Sequence, residues 1–267
     1  MIRIYHHKEV SPQYTTELHT HNEHELYFLL GGQRRYFIRH SIYDLTPGNL
    51  ILIPKGVLHK TVSKNSQGYD RFVLFFSDED VRSLSGEKGY EYLLEMGCVQ
   101  LPADTVQTIT RQLKQMQQEF TSQSHLHTVY LEAQLQLILL TVLRRGTQQP
   151  KCMENTAEKI QKVAQYMNQN FHLPITLHDA AQMACLEDTY FSKQFKALTG
   201  FGFLDYLTQL RLQEAQRLLR TTSLSLSDIS EMCGFSGSNY FGDVFRRYTG
   251  RSPNAYRKEA ANPDSTP

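Results

Sequence analysis

The chain has 267 residues, 40% of them hydrophobic, with 28 Lys+Arg set against 27 Asp+Glu. That length accommodates two domains of ordinary size, each burying its own core. The near balance of charge rules out a bulk basic character, so any affinity for nucleic acid has to rest on where individual cations sit.

No stretch approaches the roughly 20 apolar residues that a membrane helix requires. The opening run Met1-Ile2-Arg3-Ile4-Tyr5-His6-His7 lacks the apolar core of a signal peptide. Cys98, Cys152, Cys185 and Cys233 are scattered with no C-x-x-C pair, the pattern of reduced thiols. A soluble, cytoplasmic protein is expected.

From about residue 14 to 76 the pattern is β. Leu26–Leu30, Tyr36–Ile38, Leu50–Ile53 and Phe72–Phe76 are short runs rich in branched and aromatic side chains, separated by Gly31-Gly32, Thr46-Pro47-Gly48 and Pro54-Lys55-Gly56. Short strands with closely spaced turn signals predict an antiparallel barrel or jelly roll. The segment before Thr15 is an arm candidate over any pocket in that barrel.

Within this region His19-x-His21-x-x-x-Glu25 is followed by Gly32, and Gly48-x5-Pro54-x-Gly56-x-x-His59 comes later. The spacing resembles both halves of the cupin signature, in which three histidines and one glutamate bind a metal inside a barrel. Strand alternation turns His19, His21 and Glu25 to one face, where His59 can approach from an opposing strand. The second motif departs from the signature with Ser63 where cupins usually carry Asn, and the first lacks its leading glycine. The same side chains also suit a metal-free pocket for an organic effector. Tyr27 and Leu29 share the parity of Glu25, and Arg35 and Arg71 are candidates for gripping an acidic or hydroxylated ligand.

Residues 78–98 read as short helical turns broken by Gly86 and Gly89. After Pro102, Asp104 with Gln107 forms a capping pair, and Val106, Ile109, Leu113, Met116 and Phe120 give the stripe of a helix. A second helix, His127–Arg145, carries Leu131, Leu135, Ile138 and Val142 with Leu137, Leu139 and Leu140 besides. Such broad apolar cover suits either a dimer seam or packing within the chain. Gly146-Thr147-Gln148-Gln149-Pro150 opens a linker. The expected division is 1–148, a linker at 149–156, a helical domain at 157–259 and a disordered tail at 260–267.

The helical half contains a repeat. Tyr190-Phe191-Ser192-Lys193-Gln194-Phe195-Lys196-Ala197-Leu198-Thr199-Gly200 returns as Tyr240-Phe241-Gly242-Asp243-Val244-Phe245-Arg246-Arg247-Tyr248-Thr249-Gly250. Phe191, Phe195 and Leu198, like Phe241, Phe245 and Tyr248, stand at i, i+4 and i+7 on one helical face. Each copy follows a shorter helix, Leu177–Ala184 or Leu226–Cys233, and a tight turn at Cys185-Leu186-Glu187 or Gly234-Phe235-Ser236. Gly200 and Gly250 are placed to end each helix in a left-handed cap. Helix, turn and a second helix with a polar outer face make a helix-turn-helix unit. A helix at Thr156–Asn170 precedes the pair, and Phe203–Arg220 joins them as a rigid spacer. Ser252-Pro253 opens a closing helix.

The repeat, Gly234-Phe235 and the run Tyr248-Thr249-Gly250-Arg251-Ser252-Pro253-Asn254-Ala255-Tyr256-Arg257 together resemble the AraC/XylS family of transcription regulators over about residues 158–258. The implied fold is α+β, a cupin-like effector and dimerisation barrel with two trailing helices, then an all-α domain of two helix-turn-helix units. The resemblance implies a homodimer that binds promoter DNA, answers a small-molecule effector such as a sugar or small acid, and works with RNA polymerase, with no cofactor required. Family base readers fall at Thr189, Ser192 and Lys193 in the first unit and at Ser238, Asn239, Gly242 and Asp243 in the second. Lys193 suits guanine, Asn239 adenine and Asp243 cytosine N4. Lys196, Arg246 and Arg247 suit phosphates. The competing expectations are a metallo-cupin enzyme, with His19, His21, Glu25 and His59 as ligands, fused to a DNA-binding module, and a regulator with no effector.

Overall fold

The computed structural model describes residues 1–9, 22–63, 68–84, 88–122, 124–148 and 155–261. Two compact units result, one built on Met1–Glu158 and the other on Lys159–Ala197 with Phe201–Pro267.

The first unit runs β1 (Arg3–Glu9), β2 (His24–Gly31), β3 (Arg34–Ile38), β4 (Ser41–Leu45), β5 (Asn49–Ile53), β6 (His59–Ser63) and β7 (Tyr69–Phe76). A 3-10 turn at Glu79–Val81 follows, then α1 (Lys88–Glu95), β8 (Cys98–Gln100), α2 (Ala103–Ser122), α3 (His127–Arg145) and β9 (Thr147–Gln148). A six-stranded antiparallel sheet, ordered β1-β7-β2-β5-β8-β9, faces a three-stranded one, β4-β3-β6. The four strands predicted from branched and aromatic runs all form.

The large sheet is covered on both sides, which is why β2 and β5 read as unbroken apolar runs instead of alternating ones. Leu26, Phe28, Leu50, Leu52, Phe72 and Leu74 pack on Ile109, Leu113 and Met116 of α2 and on Leu135, Ile138 and Val142 of α3. Tyr27, Leu29, Ile51, Ile53 and Val73 point the other way, toward Tyr36, Ile38 and Tyr43 of the small sheet. Burial of each such large side chain is worth about 1.5–3 kcal/mol before the entropy of ordering it is counted.

Several expectations give way. The N-terminal segment is no arm over its described length: Arg3–Glu9 pairs antiparallel with β7, from Arg3 opposite Phe75 to Glu9 opposite Tyr69. Gly89 does not break the chain but lies inside α1, while Gly86 falls outside the described residues. The carboxylate of Asp104 takes the N–H and hydroxyl of Thr105 and an Arg145 guanidinium, not a capping partner at Gln107. Thr147 and Gln148, read as the opening of a linker, instead form a short strand against Gln100 and Val99. The linker at 149–154 lies outside the described residues.

The second unit is helical throughout its described residues: α4 (Asn155–Asn170), α5 (Leu177–Met183), α6 (Asp188–Thr199), α7 (Phe203–Thr221), α8 (Leu226–Met232), α9 (Ser238–Thr249) and α10 (Pro253–Ala261). Ile160, Val163, Ala164 and Met167 are buried along α4 as their spacing demands. In α7, Tyr206, Leu207, Leu210, Ala215, Leu218 and Leu219 are all buried. Helix α10 runs through the first residues expected as a disordered tail, and 262–267 are outside the described set. Among the described residues, Cys98, Cys185 and Cys233 form no disulfide.

Candidate DNA-binding faces and effector cavity

Both short helices begin with the same device. Thr176 accepts from the Asp179 N–H while Asp179 reaches back to the Thr176 backbone, and Ser225 and Asp228 repeat the exchange. Both turns then close alike: Cys185 N–H donates to Gln182 and Leu186 N–H to Ala181, as Gly234 does to Glu231 and Phe235 to Ser230. Cys185 and Gly234 occupy the left-handed region, at φ 51° and 75°.

The second helix of each unit is held by its aromatic face. Phe191 and Phe195 are fully buried with ring centroids 5.5 Å apart, and Phe241 and Phe245 match them at 5.6 Å. Phe245 also meets Tyr256 of α10 at 5.4 Å. One member of the predicted stripe fails: Tyr248 is 40% exposed, and Val244 takes the buried place beside Phe241. A phenol has a polar end that Leu198, its counterpart, lacks, and the Asp205 carboxylate accepts a hydrogen bond from it.

With the phenylalanines buried, the opposite faces are left to solvent. Thr189, Lys193 and Lys196 are exposed on α6, with Ser192 half-buried beside them. On α9 the exposed set is Ser238, Asn239, Asp243, Arg246 and Arg247, and a side chain at Gly242 would project into open space. Every residue proposed for DNA contact thus lies at least partly accessible on one of two helices joined by α7, whose 19 residues span ~28 Å.

In the first unit, alternation along β7 turns Tyr69, Arg71, Val73 and Phe75 toward the small sheet. There a cavity of about 100 Å3 is lined by His7, Glu25, Tyr36, His59, Thr61, Arg71, Val73 and Phe75. Glu25 and His59 are both buried, with His59 Nε2 3.4 Å from the Glu25 carboxylate. The other ring nitrogen, Nδ1, lies 2.8 Å from the Val57 carbonyl oxygen, a hydrogen bond that fixes the ring's orientation. Tyr36 donates to the second carboxylate oxygen at 3.4 Å. Burial, and then the Glu25 charge, push the Tyr36 phenol well above its usual pKa, so it remains a donor. At the opposite wall burial and the neighbouring Arg71 cation depress the His7 pKa, which favours a neutral imidazole.

Of the predicted pocket residues, Glu25, His59 and Arg71 come together on the cavity. Tyr27 lies just behind it, fully buried, its ring 5.3 Å beneath the Arg71 guanidinium. Arg35 does not join them: β3 alternation turns it to the outer face, where Asp44 holds it through two hydrogen bonds of 2.6 and 2.8 Å. The buried arginine of that strand is its neighbour Arg34, stacked 4.4 Å over Tyr69. His19 and His21 lie outside the described residues, and among those described no group of three potential metal ligands occurs. His7, Tyr36 and Thr61 were missed. The alternation Ile2-Arg3-Ile4 was the available signal for β1, and pairing places His7 opposite Arg71.

A two-sheet barrel with a polar cavity, followed by two helix-turn-helix units with solvent-facing second helices, defines a ligand-responsive DNA-binding regulator. The comparisons agree. A family model described as AraC-like ligand binding domain matches residues 2–148, and one described as Helix-turn-helix domain matches residues 180–259. The chain is 28% identical over 247 residues to the HTH-type transcriptional activator RhaR of Mannheimia succiniciproducens, covering 90% of this chain and 86% of that one. It is 24% identical over 250 residues to the Msm operon regulatory protein of Streptococcus mutans, at 89% and 84% coverage. Among solved structures, the DNA-binding domain of AdpA in complex with a target DNA aligns at 31% identity and a TM-score of 0.37, covering 39% of this chain and 96% of that one. The chain belongs to the AraC family of transcription regulators, with an AraC-like ligand-binding domain and a helix-turn-helix DNA-binding domain.

Proposed function

We propose that this regulator is an activator, like the relatives named RhaR, that works in the cytoplasm as a homodimer, recruits RNA polymerase and performs no catalysis of its own. Residues 1–148 form the effector and dimerisation part, 149–156 the connection and 157–259 the DNA-binding part. The observation that carries the reading is the pairing, in both copies, of a buried phenylalanine pair with an exposed polar face. Thr189, Ser192 and Lys193 read bases from α6, and Ser238, Asn239, Gly242 and Asp243 read them from α9. Lys196, Arg246 and Arg247 set register on phosphates. The homodimer rests on α3, which leaves Val129, Leu137 and Leu140 exposed along one flank.

The effector enters the cavity at Glu25, His59 and Arg71, and acts by binding one arrangement of the molecule better than another. The decisive experiment selects DNA sites with the intact protein and repeats the selection with Lys193→Ala. Loss at one base position, by about 1–3 kcal/mol, is expected. Equal weakening on every sequence would make Lys193 a phosphate contact instead. A metal reading draws on the Glu25–His59 pair together with His19 and His21; metal analysis of untagged protein separates it, since stoichiometric iron, manganese or zinc would favour it and their absence would retire it.

A further inference from the structure

The effector reading leaves open what chemistry the cavity selects, and Arg71 is the group that decides it. Its guanidinium lies 4.9 Å from the Tyr69 ring and 5.3 Å from the Tyr27 ring, and among the described residues no carboxylate pairs with it. Tyrosine faces offset a cation only in part, while a charge withdrawn from water needs a hydrogen-bonded counter-ion to settle its desolvation. Among the described residues none supplies one. His7, opposite on β1, brings no anion, and the cavity's own carboxylate, Glu25, is engaged by His59 and Tyr36.

The cavity is therefore polarised. One wall offers a guanidinium, planar and able to bind a carboxylate by two parallel N–H donations. The other offers Glu25, His59, Tyr36 and Thr61, a set of acceptors and donors that suits hydroxyl groups and repels a second negative charge. Val73 and Phe75 flank a carbon chain between the two. Size narrows the class further. The cavity measures about 100 Å3, which suits a small ligand and not a drug-sized one.

Building on the effector reading above, we infer that the ligand is a small hydroxy acid, its carboxylate on Arg71 and its hydroxyls on Glu25, His59 and Tyr36. A neutral sugar would fill the hydroxyl side and leave the guanidinium without its counter-ion.

The test measures thermal stabilisation of the full-length chain by glycerate and threonate against their neutral counterparts glycerol and threitol, at matched ionic strength, beside a panel of neutral sugars. The expected result is binding of the acids at least tenfold tighter than of the polyols, with that preference removed in Arg71→Gln and partly kept in Arg71→Lys. The acid-over-polyol ratio in the unmodified chain stands as a test even if the glutamine variant folds poorly. Equal response to acids and polyols, or an acid preference that survives Arg71→Gln, overturns the assignment. A response to neutral sugars alone also overturns it while leaving the effector reading intact. Silence toward every compound, with DNA binding unaltered by all of them, removes both.

Discussion

Gly234→Ala tests the geometry of the second helix-turn-helix unit. Gly234 sits at φ 75°, where a side chain costs about 1–2 kcal/mol. The space is also taken, because a Cβ built there would lie 2.5 Å from the His172 carbonyl oxygen and 2.8 Å from the His172 Cα. Those are backbone atoms that cannot swing aside, so overpacking adds about 1–3 kcal/mol. The expected loss is ~2–5 kcal/mol. The first unit supplies a control, since Cys185 occupies the equivalent turn position with an exposed side chain at φ 51°. Cys185→Ala should therefore be near neutral. Urea unfolding followed by helical circular dichroism measures both, and a Gly234→Ala variant within about 0.5 kcal/mol of the parent would refute the steric argument. The same contact bears on DNA. The His172 loop is also held by Arg211 of α7, through bonds of 2.8 Å to the Phe171 carbonyl and 2.9 Å to the Leu173 carbonyl. Displacing it should shift the second helix-turn-helix against the first, so footprints should weaken more over the half of the site contacted by α9.

Phe245→Ala removes a fully buried ring packed on Phe241 and Tyr256 and should cost ~3–5 kcal/mol; a variant of parental stability would remove Phe245 from the core. Gly242→Ala meets nothing within 4 Å and should stabilise α9 by about 0.5–1 kcal/mol. If DNA affinity falls while the melting temperature rises, Gly242 lies against the duplex, whereas unchanged affinity takes it out of the base-reading set. The Glu187 carboxylate accepts the Thr189 and Tyr190 N–H groups, which depress its pKa below the ordinary 4.5. A depressed carboxylate contributes stability above its unfolded value and loses it as pH falls through the folded one, so Glu187→Gln should flatten the decline in melting temperature below about pH 4.5. An identical acid limb in parent and variant would contradict that.

The helical unit was legible nearly to the residue because its signals are local. Phenylalanines at helical spacing and glycines at left-handed caps each act within a turn or two of themselves, while the capping boxes at Thr176 and Ser225, equally local, went unread. Tyr248 misled because spacing alone cannot tell a buried ring from one whose hydroxyl reaches Asp205. The barrel was legible as strands but not as a site. Which side chains share its cavity depends on pairing between positions as distant as His7 and Arg71, and on the face each strand presents. Arg34 and Arg35 show the difficulty. Two adjacent arginines are alike in sequence, yet alternation buries one on Tyr69 and sends the other outward to Asp44.

The matched motifs also conceal a difference between the two reading helices. The N-caps Thr176 and Ser225 stand 49 positions apart, whereas α6 and α9 begin 50 apart at Asp188 and Ser238, so the second turn holds one extra residue. That residue changes what precedes the helix. Before α6 stands Glu187, which occupies two first-turn N–H groups with a carboxylate. Before α9 stands Gly237, with no side-chain cap. Negative charge at a helix start steadies the helix but opposes a phosphate there. On the proposed reading, the attraction of α6 for DNA would fall to Lys193 and Lys196, a turn or more along. On α9 the anion, Asp243, lies mid-helix and the cations follow at Arg246 and Arg247. Alignment makes Lys193 and Asp243 equivalent, but their charges are opposite, so the two halves of a bound site should differ in base preference and in salt dependence even though the backbones that present them repeat.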